Sequence, residues 1–303
     1  MTRSTKWFLG ILAFLALCVV GFVVLILSVF PLGVSGGTEV VVHGSGQRIA
    51  VVDIKGVITS SEDINRQLKK YRTDRSIKGI VLRVDSPGGG VVPSQEIYEE
   101  VRRTRDGGKP IVVSMGSLAA SGGYYVACGA SRLVANNGTL TGSIGVISEF
   151  LQLHEALGKL GIGVKTIKSG SLKDAGSSSR KMTPVDQAYF QSLMDDVHRQ
   201  FIGVVEVERH LPHARVLAFS DGRVFTGQEA YKLGLVDTIG TYEDAIAIVA
   251  NLAGIGGEPA IVRERRRPPW WAPAVDDMSE TVKSLKQEIL DRPVLSYRFI
   301  GPM

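Results

Sequence analysis

The longest uninterrupted apolar run of the chain lies near its N-terminus, over residues 7–30. The run WFLGILAFLALCVVGFVVLILSVF contains no charged residue, and as a helix it would extend about 36 Å at 1.5 Å per residue. This length exceeds the roughly 30 Å hydrocarbon core of a bilayer, so the pattern predicts one transmembrane helix. The alternative is a cleaved signal peptide, whose apolar region would be only about 7–15 residues long.

The charges that flank this run predict its orientation. Arg3 and Lys6 precede it, and the first charged residue after it is Glu39. Positive residues stay on the cytoplasmic side, so we expect residues 1–6 inside and the rest of the protein across the membrane. Residues 31–47 are rich in Gly and Ser and are interpreted as a short stalk.

Beyond the stalk, short apolar runs alternate with amphipathic stretches over residues 48–253. The runs predicted as strands are 49–56, 78–90, 110–116, 132–136 and 163–167. The stretches predicted as helices are 62–72, 94–105, 117–130, 149–160 and 183–209. Strands and helices that alternate at this spacing predict an α/β fold with a mostly parallel sheet.

The composition changes towards the C-terminus. Residues 254–275 are rich in Gly, Arg and Pro and are interpreted as a linker, and 276–303 as a short helix (276–290) followed by an extended apolar tail. One interpretation is that this tail is disordered or docks on its own subunit. The other is that it resembles a substrate and lies in an active-site groove by strand addition, where it restrains activity.

Cysteine content and charge exclude several classes of protein. Cys18 lies within the apolar run and Cys128 within the small-residue stretch 117–130, so no disulfide framework or cysteine–histidine metal site is expected. The net charge of +5 is too diffuse to indicate a nucleic-acid partner. We therefore expect neither a metal nor another cofactor.

The candidate chemistry lies where predicted strands end, since sites in open α/β sheets form beyond the carboxyl ends of the strands. Two such ends are unusual, DSPGGG at 85–90 and SLAASGG at 117–123. The glycines lack the GK[ST] of a phosphate loop and the GxGxxG of a dinucleotide site, which favours backbone donors of an oxyanion hole. Asp85 is interpreted as structural, and Tyr124 and Tyr125 as core or subunit-interface residues.

Ser121 is the serine enclosed by small residues in the second of these segments. It is either a helix N-cap or a nucleophile. A nucleophile needs a base, but the histidines lie in the stalk or in predicted helices, and no GxSxG motif is present. A neutral lysine would serve instead, and the spacing leaves four candidates open, namely Lys165, Lys168, Lys173 and Lys181.

Five motifs of the chain follow one another as they do in a known family. IKGIVLRVDSPGGG, SLAASGGYYVA, LTGSIGV, GSLKDAGSSSRKMT and SDGRVFTGQEAYKLGLVD occur in the order seen in bacterial signal peptide peptidase A. The chain resembles the short, single-repeat form of that family over residues 48–250. The resemblance implies a Clp-protease/crotonase-like fold of repeated ββα units and a serine–lysine peptidase that uses neither metal nor nucleotide.

The resemblance also implies roles for individual residues. Ser121 corresponds to the nucleophile and Lys173, 52 residues later, to the general base. The N–H groups of Gly122 and of Gly89, or its neighbour Gly88, correspond to the oxyanion hole. A further serine, Ser117 or Ser143, is a candidate for orienting the lysine, the alternative being a turn or capping role.

The implied protein is a membrane-anchored endopeptidase that degrades remnant signal peptides, with its catalytic domain outside the bacterial cytoplasmic membrane. Relatives of this length imply a homo-oligomeric ring, an octamer being one candidate size, in which serine and lysine meet across neighbouring subunits. Two alternatives remain open. One is a crotonase-type acyl-CoA enzyme, and the other is a non-catalytic membrane scaffold of the same fold.

Overall fold

The computed structural model of the protein describes residues 7, 14–15, 17–22, 38–265 and 296–298. The chain divides into two compact units, Met1–Glu39 with Glu264–Arg292, and Val40–Arg263 with Pro293–Met303. In the first unit the described residues between 7 and 22 are helical. None of the described helices is long and apolar enough to span a membrane. Most of the predicted span 7–30, and all of the predicted helix 276–290, lie outside the described residues.

The described residues form strands and helices in alternation. The strands are β1 (Thr38–His43), β2 (Arg48–Lys55), β3 (Ile77–Ser86), β4 (Gly88–Gly90), β5 (Ile111–Ala120), β6 (Arg132–Ala135), β7 (Leu140–Gly142), β8 (Val224–Thr226), β9 (Thr238–Ile239), β10 (Ala260–Arg265) and β11 (Ser296–Arg298). The helices are α1 (Glu62–Thr73), α2 (Val91–Asp106), α3 (Gly122–Cys128), α4 (His154–Lys159), α5 (Pro184–Arg209), α6 (His213–Leu217), α7 (Gly227–Leu233) and α8 (Tyr242–Leu252).

The main sheet has the strand order β1-β10-β2-β3-β5-β6-β9, and β7 pairs with both β5 and β8. The ladders from β10 through β2, β3, β5, β6 and β9 are parallel, and so is the β5–β7 ladder, whereas β7 and β8 are antiparallel. In a second, two-stranded sheet β11 runs antiparallel to β4. The predicted α/β fold with a mostly parallel sheet is confirmed.

The central strands are buried on both faces, which explains their nearly continuous apolar sequences. Val51, Val81 and Val112 pack on the face covered by α8, whereas Leu82 and Val113 belong to the larger core on the opposite face. That larger core also takes in buried residues of α1, α2, α3 and α5. The carboxyl ends of β3 and β5 therefore meet in a fully buried part of the interior.

The predicted helix at 117–130 is wrong in its first part. β5 continues to Ala120, because Ala119 pairs with Ser86 of β3 on one side and with Thr141 of β7 on the other. Two flanking ladders hold this stretch extended, and this tertiary pairing overrides the high helical propensity of Leu118, Ala119 and Ala120. The helix begins only after Ser121, at Gly122.

Two other local predictions are also wrong. Residues 163–167 are not a strand, and the predicted helix 149–160 is reduced to His154–Lys159. The side chains of 163–167 are exposed, Ile167 to 91%. An apolar run becomes a strand only where a neighbouring strand pairs with its backbone groups, and no described strand does so here.

The sheet extends beyond the predicted peptidase region 48–253. Thr38–His43, within the segment interpreted as a stalk, forms the edge strand β1. Ala260–Arg265, within the segment interpreted as a linker, forms β10 and pairs in parallel with β2. Both strands become regular through pairing between distant parts of the chain, which local composition does not indicate.

Candidate active site

Ser121 occupies the junction between β5 and α3 in an unusual backbone conformation. Its φ of 53° and ψ of −118° lie outside the regions that residues with a side chain normally adopt, at a cost of about 1–3 kcal/mol. Its N–H donates to the Gly142 carbonyl at 2.7 Å, and its carbonyl accepts from the Tyr125 N–H at 2.8 Å. These two bonds fix the strained residue between β7 and α3.

The Ser121 side chain is buried without a partner. The residue is 1% exposed, and its Oγ makes no hydrogen bond to any described residue. In particular, it does not cap α3, so the N-cap interpretation is wrong. A buried hydroxyl left unpaired costs about 1–3 kcal/mol, a cost characteristic of functional sites.

The glycine loop, residues 88–90, lies beside Ser121. Hydrogen bonds with Ile58 and with Ser86 hold its backbone in place. Ile58 N–H donates to the Gly88 carbonyl, and Gly90 N–H donates to the Ile58 carbonyl, both at 2.8 Å. Ser86 Oγ donates to the Gly56 carbonyl at 2.6 Å and accepts from the Gly88 N–H at 3.1 Å. Ser86 was missed by the sequence analysis, although a serine two residues before a glycine is a recognisable turn signal.

Gly122 and the glycine loop approach each other at the distance of backbone contact. A Cβ added to Gly122 would lie 3.2 Å from the Gly89 nitrogen and 2.5 Å from Ser94 Oγ, and one added to Gly88 would lie 2.6 Å from the Gly122 nitrogen. Side chains are therefore excluded, and the amides of Gly89 and Gly122 lie close together next to Ser121. Such paired backbone donors suit a developing oxyanion.

The chain's own tail occupies this edge of the glycine loop. Tyr297 of β11 lies opposite Gly89, and a Cβ on Gly88 would be only 2.0 Å from the Tyr297 carbonyl oxygen. The Tyr297 ring is fully buried, with its centroid 5.2 Å from that of Tyr125 and 4.8 Å from that of Phe201. Its hydroxyl donates to the Val197 carbonyl at 3.2 Å, and burial raises the pKa of Tyr297. The predicted strand addition is thus present for residues 296–298, while its effect on activity stays a prediction.

Lys173 and Ser121 make no hydrogen bond to each other within one chain. Lys173 is exposed, on a series of turns that follows Gly170. Its Nζ makes no hydrogen bond or ion pair to a described residue. Because Ser121 Oγ also has no partner, the fold of one subunit does not join the two residues.

The other three candidate lysines have different surroundings from one another. Lys168 Nζ is paired with the Asp174 carboxylate at 2.6 Å, so this amine is already engaged within the loop. Lys165 and Lys181 are exposed. The contacts therefore disfavour Lys168 as the base and leave the amines of Lys165, Lys173 and Lys181 without a described partner.

The other residues singled out by the sequence analysis lie near the site and differ in burial. Ser143 is buried, has a φ of 50°, and follows the Gly142 that holds Ser121, whereas Ser117 is exposed. The structural role of Asp85 is confirmed, because its Oδ1 accepts from the Leu118 N–H at 3.1 Å. Tyr124 is a core residue whose hydroxyl donates to the Leu235 carbonyl at 2.9 Å.

Comparison with known proteins gives consistent matches. The model of Peptidase family S49 matches residues 103–256. The putative protease slr0021 of Synechocystis sp. is 43% identical over 211 residues, which cover 69% of this chain and 76% of that protein. The putative signal peptide peptidase SppA of Enterococcus faecium is 36% identical over 215 residues, 67% of this chain and 62% of that protein. Among solved structures, a mutant of the 1510-N membrane-bound stomatin-specific protease is matched with a TM-score of 0.46 and 17% identity, covering 74% of this chain and 100% of that one.

Proposed function

Because this chain belongs to Peptidase family S49 and is a serine peptidase, we propose that Ser121 is its nucleophile and Lys173 its general base. The observation that carries the proposal is the strained, buried and unpartnered Ser121, placed beside the amides of Gly89 and Gly122. Acyl transfer requires a hydroxyl that is free to attack, next to backbone N–H groups already positioned to bind the oxyanion.

In the proposed reaction, neutral Lys173 Nζ takes the proton of Ser121 Oγ while Oγ attacks the carbonyl carbon of the substrate. The N–H groups of Gly89 and Gly122 stabilise the oxyanion. Gly89 is favoured over Gly88 because the Gly88 N–H already donates to Ser86 Oγ. Lys173 then protonates the leaving amine, and a water molecule, deprotonated by the same lysine, hydrolyses the acyl-enzyme. Of the two candidate serines, Ser143 is proposed to orient the lysine, since it is buried next to this site whereas Ser117 is exposed.

The proposed assembly is a homo-oligomeric ring, an octamer being one candidate size, in which Lys173 reaches Ser121 of a neighbouring subunit. Two observations support it. Ser121 and Lys173 are both unpartnered within one chain. The segment that leads to Lys173 also exposes apolar side chains to a degree that is typical of an interface, namely Leu151, Leu153, Leu160, Ile162, Val164 and Ile167.

The proposed substrates are remnant signal peptides, and the proposed fold type is that of the Clp-protease and crotonase families. The relative named a putative signal peptide peptidase supports the substrate, and the parallel sheet with a glycine loop beside Ser121 supports the fold. The apolar run 7–30 supports a single-pass anchor in the bacterial cytoplasmic membrane. An anchored peptidase would meet apolar peptides that remain in the bilayer.

The proposed topology predicts where the folded domain lies. Because Arg3 and Lys6 keep the N-terminus inside, a protease added to intact spheroplasts should digest the region after residue 47, and an antibody to that region should lose its signal. A cytoplasmic protein serves as the control for membrane integrity. Protection of the domain until the membrane is opened would contradict the topology.

A fluorophosphonate probe tests the proposed chemistry and its pH dependence together. It should label Ser121, as mapped by mass spectrometry, and Ser121→Ala should not be labelled. Because a lysine accepts a proton only as the neutral amine, the labelling rate should rise with pH, by about tenfold per unit where most of the amine is charged. No labelling would contradict the assignment of Ser121 as the nucleophile. A rise that is complete near pH 5 would indicate a carboxylate base instead.

A further inference from the structure

The loop that carries Lys173 must be ordered before its amine can act, because an exposed lysine has many side-chain conformations to lose. The loop is a succession of turns, in which the N–H groups of Lys173, Ala175 and Ser177 donate to the carbonyls three residues earlier at 3.0–3.1 Å. Turns of this kind define the path of the backbone locally. They do not fix the loop relative to the rest of the domain.

Asp174, the residue after Lys173, ties the loop to its flanking segments. Its Oδ1 accepts from Lys168 Nζ at 2.6 Å and from Arg180 Nη2 at 2.9 Å. Lys168 Nζ also donates to the Ser171 carbonyl at 2.7 Å. Arg180 and then Lys168 lower the pKa of Asp174 to about 2. The carboxylate is therefore charged throughout the neutral and alkaline range in which a lysine base works, and its pairing is lost only as the pH falls from about 4 towards 2.

Arg180 extends this connection to a long helix. Its Nη1 and Nη2 donate to the two carboxylate oxygens of Asp186, at 2.5 and 3.1 Å. The side chain of Asp186 is 3% exposed and completes a capping box with Thr183 at the start of the 26-residue helix α5. The chain Asp174–Arg180–Asp186 thus joins the residue beside Lys173 to the N-terminus of α5.

A second contact restrains the same loop from its other side. Gly176 has a φ of +79°, and a Cβ there would lie 2.7 Å from the Phe150 ring. The Phe150 ring in turn packs on Phe190 of α5, with 4.3 Å between centroids. The loop is therefore held to α5 by an ion-pair chain and by an aromatic pair, while the Lys173 side chain between them stays unpaired.

We propose that Arg180 is a positioning residue for Lys173: by joining Asp174 to Asp186 it fixes the lysine loop against α5, so that the amine is presented to Ser121 in one orientation. A bidentate guanidinium suits this task because it fixes both distance and angle. It also keeps the Asp174 carboxylate away from the adjacent lysine, with which it would otherwise be free to pair. The inference rests on the proposed role of Lys173 as the base.

The test compares Arg180→Gln with a matched variant of the full-length protein. Arg209 makes a similar bidentate pair with Asp237, at 3.2 and 2.7 Å, at the other end of α5. Arg180→Gln should lower kcat by about 10²-fold, since misplacing a catalytic group by about 1 Å has that effect. KM should be unchanged, because only the chemical step is affected. Arg180→Lys keeps the positive charge but cannot make the bidentate pair of a guanidinium, and it should recover part of kcat. Arg209→Gln should lower Tm and leave kcat intact.

Three outcomes are distinguishable. Wild-type kcat in Arg180→Gln, with an inactive Lys173→Ala, would overturn the positioning role and leave the proposed base in place. An active Lys173→Ala would overturn the base and the inference together. If Arg180→Gln does not fold, Asp174→Asn tests the inference instead. This substitution breaks the ion pair between the loop and Arg180 and leaves the Thr183–Asp186 capping box of α5 intact. It should show the same selective loss of kcat, and an unchanged kcat would overturn the inference.

Discussion

Ser121→Ala is expected to lower kcat/KM for a peptide substrate by about four to six orders of magnitude, the loss found when a serine peptidase loses its nucleophile. The fold should be retained, because Ser121 Oγ makes no hydrogen bond that the substitution would break. Removal of a buried, unpaired hydroxyl should even leave Tm unchanged or slightly raised. Steady-state kinetics and thermal unfolding of the same preparation check both expectations.

Lys173→Ala should cause a comparable loss, and the double variant should be little worse than either single one, because nucleophile and base act as a unit. Lys165→Ala is the matched control, since Lys165 is an exposed lysine of the same segment, and it should keep wild-type kcat. Substantial turnover by Lys173→Ala would contradict the assignment. Loss of activity in Lys165→Ala or Lys181→Ala would identify a different base.

Truncation after Arg292 is expected to raise peptidase activity. It removes β11, which pairs with the glycine strand β4 where we expect the substrate backbone to bind. If the tail leaves the groove free in about one molecule in ten, kcat/KM should rise about tenfold. The increase should appear in kcat/KM at low substrate concentration, where a competing intramolecular segment has its full effect.

Tyr297, the buried aromatic residue of the tail, allows a smaller change than truncation, namely a single substitution. Tyr297→Ala removes the ring that stacks on Tyr125 and should give part of the activation seen on truncation. Tyr231→Ala, on an exposed tyrosine, is the control and should have no effect. Because Tyr297 also belongs to the main core, Tm is measured in parallel. A lower Tm with unchanged kinetics would show that the tail is a packing element alone.

Local sequence determined the parts of this protein whose structure depends on neighbouring residues. The apolar runs of β2, β3 and the first part of β5 predict buried parallel strands, because such strands are covered on both faces. The helix α5 begins at a Thr183–Asp186 capping box with Pro184 at its first position, a signal contained in four consecutive residues. The glycines at 88–90 and 122 likewise indicated a backbone donor site before any geometry was known.

Only the tertiary structure decided where extended segments find partners. Residues 118–120 are extended because β7 pairs with all three and β3 with Ala119, whereas the apolar residues 163–167 have no such partner among the described strands and are not a strand. The strands β1, β10 and β11 form from segments interpreted as stalk, linker and tail. The strained conformation of Ser121 is also tertiary, since its N–H donates to the distant Gly142 carbonyl, whereas Arg180 pairs with carboxylates only six residues away on either side. A helix makes its backbone hydrogen bonds within one segment, whereas a strand makes them to a second strand that the local sequence does not identify.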